Sequence, residues 1–102
     1  MARKWMTFSF DDGTVQDRRL VALLDRYGLK GTFNLNSGLF GQVHNIIHDG
    51  ISVCHDEIAA AEVFQLYRDH EVAVHTLTHP NLLECSQEEV IRQVGEDARA
   101  LS

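Results

Sequence analysis

The chain has 102 residues and a mass of 11.5 kDa, too short for more than one ordinary domain with a shallow core. Apolar residues make up 44% and charged residues 24%, with a single proline, a profile that excludes a disordered or collagen-like chain. The net charge of −6 argues against nucleic acid or an anionic membrane as a partner, because both are gripped through Lys and Arg. Two cysteines, Cys54 and Cys85, without C-x-x-C spacing read as reduced thiols and small buried fillers. The segment Met1-Ala2-Arg3-Lys4-Trp5-Met6 has neither an apolar run nor a small-residue cleavage site, so no signal peptide or membrane span is expected, which points to the cytoplasm.

No repeat, low-complexity tract or linker interrupts residues 1–102, which read as one unit. Trp5 to Phe10 is short and aromatic-rich and stops at Asp11-Asp12-Gly13, which predicts a first strand with Trp5 packing on it or capping its end. Thr14 and Asp17 form an N-cap pair for a helix whose apolar face is Leu20, Leu23, Leu24 and Tyr27, closed by Gly28 as a left-handed cap. Thr32 to Leu35 is a second strand. Asn36 to His55 shows no period and is read as a long loop, a length that usually signals function. Ile58, Ala59, Val63, Leu66 and Tyr67 give a second helix, and Glu71 to His75 a third strand. Ser86 and Glu89 form a capping box ahead of a third helix with Val90, Ile91, Val94, Ala98 and Leu101 as its core stripe. This alternation predicts an α/β fold built from parallel βα units.

Chemistry concentrates where two strands end. Adjacent carboxylates, Asp11 and Asp12, close the first strand, and like charges this close need a positive partner. His75-Thr76-Leu77-Thr78-His79-Pro80 closes the third, and Pro80 disfavours helix at His79, so the imidazoles belong to a tight loop. Residues just past the C-terminal ends of parallel strands face one rim, so Asp12, His75 and His79 should meet there. Two imidazoles and a carboxylate with an open position suit catalytic zinc, and Fe(II) or Co(II) suit the same set.

The stretches Thr7-Phe8-Ser9-Phe10-Asp11-Asp12-Gly13 and His70 to Leu82 (His-Glu-Val-Ala-Val-His-Thr-Leu-Thr-His-Pro-Asn-Leu) resemble the first two motifs of the polysaccharide deacetylase family, the NodB homology domain of carbohydrate esterase family four. Lys30-Gly31-Thr32-Phe33 is similar to that family's second strand, and the loop from Asn36 to His55 is the least family-like part. The resemblance implies the first part of a distorted (β/α) barrel, ending after the third strand and its helix. It implies Asp11 as general base, Asp12, His75 and His79 as metal ligands, and Thr76 as the hydroxyl that braces the histidine loop. The implied cofactor is one divalent ion, zinc first, with Co, Mn, Fe or Ni as alternatives. The implied reaction is hydrolysis of an acetyl group on a glycan. The family's arginine, aromatic wall and general-acid histidine have no counterpart up to Ser102, so a C-terminal half or a second copy of the chain is expected to complete the barrel. The resemblance also implies a cell-envelope or secreted setting, against the cytoplasmic reading of the N-terminus.

A metal- or glycan-binding half-barrel without catalysis fits the same residues. Asp12-Gly13-Thr14 also resembles the loop of haloacid-dehalogenase-like phosphatases, but their nucleophilic aspartate would fall at Phe10. His44 and His48 form a rival four-spaced pair, more simply read with His55 as decorating the long loop near the substrate. His70 is expected at the surface.

Overall fold

The computed structural model describes residues 2–102. Three short parallel strands form its main sheet: β1 (Ser9–Asp11), β2 (Thr32–Leu35) and a later strand, β5 (Glu71–Val74), with β2 in the middle. The register aligns Ser9 with Thr32 and Glu71, Phe10 with Phe33 and Val72, and Asp11 with Asn34 and Ala73. Alternation therefore sorts the two faces. Phe33 and Leu35 are fully buried against the helices, whereas Thr32 and Asn34 point to a polar face, where Asn34 Nδ2 donates to Ser9 Oγ (2.8 Å) and Asp11 Oδ1 (2.9 Å). The core is Val21, Leu24, Phe33, Leu35 and Tyr67, with the Phe33 ring 5.4 Å from Phe10 and 4.8 Å from Tyr67. Each fully buried side chain of this kind contributes roughly 1.5–3 kcal/mol. The first strand is shorter than its sequence suggests, and Trp5, 84% exposed, neither packs nor caps.

The helices form where expected but turn different faces inward. Helix α1 (Asp17–Arg26) has Gln16 at its cap without a side-chain capping bond, its Nε2 donating instead to Cys54 O (2.8 Å), and Thr14 contributes only its carbonyl, to Asp17 N (2.9 Å). Asp17 instead joins the buried stripe Asp17-Val21-Leu24, while Leu23 and Tyr27 face solvent. The left-handed cap at Gly28 forms (φ +67°). Helix α2 (Ala60–Leu66) begins after Ile58, which is fully buried in extended chain. Helix α3 (Gln87–Leu101) starts with Ser86 Oγ accepting from Glu89 N (3.1 Å), half of the capping box, because the Glu89 carboxylate turns to Arg92 and Gln93. Its buried residues are Gln93 and Asp97, not the predicted valine and isoleucine stripe, and Ile91 and Val94 are exposed.

The segment from Asn36 to His55 is not a structureless loop. After a 3₁₀ turn (Ser37–Leu39) it forms a hairpin of β3 (Asn45–His48) and β4 (Ile51–Cys54). Its turn is Asp49-Gly50, with φ of +50° and +76°, the two positive angles a type I′ turn needs. The neck docks on the β1–α1 loop, with Val15 N donating to Asp56 O (2.9 Å) and Ile58 N to Gly13 O (2.9 Å). No described helix is long and apolar enough to cross a membrane.

Candidate metal centre

Asp12 leaves β1 as its N–H donates to Asn34 O (3.0 Å), and the chain then bends through left-handed angles at Asp12 (φ +82°) and Gly13 (φ +66°). A side chain at Gly13 would meet Leu35 Cδ2 at 2.8 Å, so only glycine lets the strand end fold over the core. On the neighbouring strand His75 N donates to Leu35 O (3.1 Å), which carries its ring to the same rim. The structure thus brings together Asp12, His75 and His79: one donor atom from each lies within 4.8 Å of the others. His75 Nε2 is 3.4 Å and His79 Nε2 3.6 Å from Asp12 Oδ1, an oxygen that is buried and has no hydrogen-bond partner. These separations are longer than hydrogen bonds, yet close to the roughly 3.3–3.4 Å edge of a tetrahedral shell with 2.0–2.1 Å bonds. The donor set fits a divalent cation. Asp11 stands beside it, Oδ2 at 3.9 Å from His75 Nε2, with Oδ1 held by Asn34.

The histidine loop is strained and strongly braced. Among the described residues four non-glycines have left-handed φ, and Asp12, Thr76 (+71°) and His79 (+58°) are three of them. Thr76 Oγ1 accepts from His79 N (3.1 Å). Asp97 reaches from α3 to accept from His75 N (2.9 Å), Ser37 N (2.7 Å) and Ser37 Oγ (2.6 Å). Asn36 Nδ2 donates to the carbonyls of His75 and Thr76, and Gln93 pairs with Thr78 through both its amide atoms. At Gly38 an added Cβ would lie 2.6 Å from Leu77 O, so the 3₁₀ turn packs backbone to backbone on this loop.

A second cluster adjoins the first. The rival pair does not form: His48 sits at the exposed hairpin tip near Asp49, and His44 faces His55 across the hairpin neck, ring centroids 5.0 Å apart. His44, His55 and Glu57 again present donor atoms within 4.8 Å of one another, and His55 Nε2 is 3.5 Å from Asp12 Oδ2. Burial, then the charges of Asp12 and Asp17, push the Glu57 carboxyl up to about 7. Burial also raises Asp17, against the hydrogen bond it accepts from Tyr67 Oη (2.7 Å), while Asp12 raises it further.

The family pattern for polysaccharide deacetylases matches residues 1–102, the whole chain. The chain belongs to the polysaccharide deacetylase family. Its fold is similar to that of a solved Streptococcus pyogenes deacetylase, PplD in complex with acetate, with a TM-score of 0.78 and 19% identity. That alignment covers 98% of this chain and 41% of PplD, so the chain spans less than half of that deacetylase, in keeping with a partial barrel. No curated protein sequence matches.

Several residues around this deacetylase-family site escaped sequence reasoning. Asn36, Gln93 and Asp97 are buried polar groups from three separate segments, and only the four-residue spacing of Gln93 and Asp97 hinted at a shared face. The Asp49-Gly50 dipeptide between isoleucine-containing runs was a readable hairpin signal. His70 is not at the surface. Its ring is fully buried, accepting from Gly31 N at Nδ1 (3.1 Å), which leaves Nε2 to donate to Asp25 Oδ1 (2.7 Å). Cys54 is exposed and Cys85 half-buried, both free, so neither is a core filler.

Proposed function

We propose that residues 1–102 act as one unit, the N-terminal, cation-holding part of a hydrolase that removes acetyl groups from a glycan. The carrying observation is the convergence of Asp12, His75 and His79, with the Asp12 oxygen between the imidazoles buried and unpartnered. In this reading these three residues hold one divalent ion, zinc by donor type, with Co, Mn, Fe or Ni suiting the same set. A cation bound there supplies acidified water and polarisation of the acetyl carbonyl. Asp11 takes the proton of the attacking water: Asn34 fixes its Oδ1, and its side chain is 59% exposed, so Oδ2 remains open to substrate. Thr76 is a positioning residue, holding the backbone of His79 and through it the direction of that ring. A further segment or a second copy of the chain adds the acid and the sugar-binding wall.

Acetate release from an N-acetylglucosamine oligomer, measured alongside metal content, tests this reading. Asp12→Asn and His79→Ala should lose both metal and release. Asp11→Asn should keep the metal and lose release by about 10²–10⁴-fold. Metal bound without any acetate release, even from the completed barrel, would favour the binding half-barrel, and unchanged metal in Asp12→Asn and His79→Ala would overturn the site.

A further inference from the structure

The cavity of about 180 Å³ beside the rim is lined by Asp12, Asn36, His44, His55, Glu57 and His79, among others. Three buried side-chain atoms among the described residues have no hydrogen-bond partner: Asp12 Oδ1, Asn36 Oδ1 and Glu57 Oε2. All three belong to residues of this one cavity. Each orphaned polar atom costs about 1–3 kcal/mol, so their concentration at one place points to something polar that fills it. The lining carries two carboxylates and, among the described residues, neither lysine nor arginine, which makes the missing charge positive.

We propose that His44, His55 and Glu57 form a second divalent-cation site, which shares Asp12 with the first. The Glu57 side chain is only 2% exposed and its Oε2 is free to bind. His55 Nε2 lies 3.6 Å from Glu57 Oε1 and 3.5 Å from Asp12 Oδ2, the ligand-to-ligand spacing already seen at the rim. The two imidazole pairs are also alike, with ring centroids 5.0 Å apart at the neck and 4.9 Å at the rim. Asp12 offers Oδ1 to His75 and His79 and Oδ2 to His55, so one carboxylate faces both clusters. The neck holds this arrangement rigidly: His55 N donates to His44 O (2.8 Å), His44 N to Asp56 Oδ1 (3.0 Å) and Glu57 N to Gln42 O (2.8 Å). Two imidazoles and a carboxylate select a borderline transition-metal ion such as Zn²⁺ rather than Ca²⁺ or Mg²⁺. The site rests on Asp12 facing both ways but does not require the rim triad to be catalytic.

Metal stoichiometry tests it. The protein is stripped with chelator, dialysed against Zn²⁺ and analysed for bound zinc, with calorimetric titration of Zn²⁺ in parallel. The wild type should hold two ions per chain. Glu57→Gln, which keeps the shape of the buried side chain, and His44→Ala, which alters only the neck, should each lose one, weakening that site at least about tenfold. Both should keep the ion that His79→Ala loses, and circular dichroism checks that every variant is folded. One ion in the wild type, untouched by Glu57→Gln and His44→Ala but lost in His79→Ala, overturns this proposal and leaves the rim centre standing. One ion lost in Glu57→Gln and His44→Ala but kept in His79→Ala supports this site and overturns the rim centre. Zinc retained by no form overturns both.

Discussion

The imidazole pairs on either side of Asp12 have nearly the same spacing but are built from opposite materials. The rim pair, His75 and His79, sits in a loop with left-handed backbone at Thr76 and His79, and its supports come from far along the chain: Asn36, Gln93 and Asp97. The neck pair, His44 and His55, continues the antiparallel register of β3 and β4 and is joined by bonds within the same hairpin, whose base docks on the β1–α1 loop. A strained loop persists only where its surroundings over-determine it, so the rim should fail when a distant brace is removed. A zipped neck should respond only to changes nearby.

The largest expected effect follows from the rim's dependence on α3. Asp97→Ala leaves both Ser37 donors without their acceptor and the N–H of His75 with Leu35 O alone. It should cost about 2–4 kcal/mol in urea unfolding and abolish zinc binding at the rim. A loss below about 1 kcal/mol would mean that the rim holds its own shape.

Next is Tyr67→Phe, in the core. Asp17 is raised by burial, so its stabilising contribution is whole below the ordinary carboxylate value of 3.8 and is lost as pH rises through the raised value. Removing the Tyr67 hydroxyl takes away the bond that counters this rise. The variant should lose about 1–3 kcal/mol near pH 7 and less near about pH 3. Equal losses at the two pH values would show that Asp17 does not titrate against this bond.

The smallest effect belongs to the neck. Asp56→Ala removes the acceptor of His44 N and should cost about 0.5–1.5 kcal/mol, with faster amide exchange in the hairpin and none at His75. Faster exchange at His75 as well would show that the two regions are coupled more tightly than their separate bracing implies.

The same contrast explains what the sequence could tell. The parallel sheet of β1, β2 and β5 was legible because short apolar runs ended at Asp11-Asp12-Gly13 and at His75, and the rim residues were legible because strand ends carry them to one edge. The inward faces of α1 and α3 were not, since counting apolar residues cannot reveal a stripe that begins with Asp17 or centres on Gln93 and Asp97. Those side chains are buried because each satisfies a partner brought near only by the fold. The hairpin was missed for a different reason: all eight strand residues are exposed, so no buried face imposed an alternation, and only the Asp49-Gly50 turn marked it.

A zinc-soaked crystal, measured with anomalous scattering at the zinc edge, tests the central claim most directly. The account predicts a peak between Asp12, His75 and His79, with both Nε2 atoms about 2.0–2.1 Å from the ion. Density there that scatters as water, with the imidazoles turned toward other partners, would contradict it.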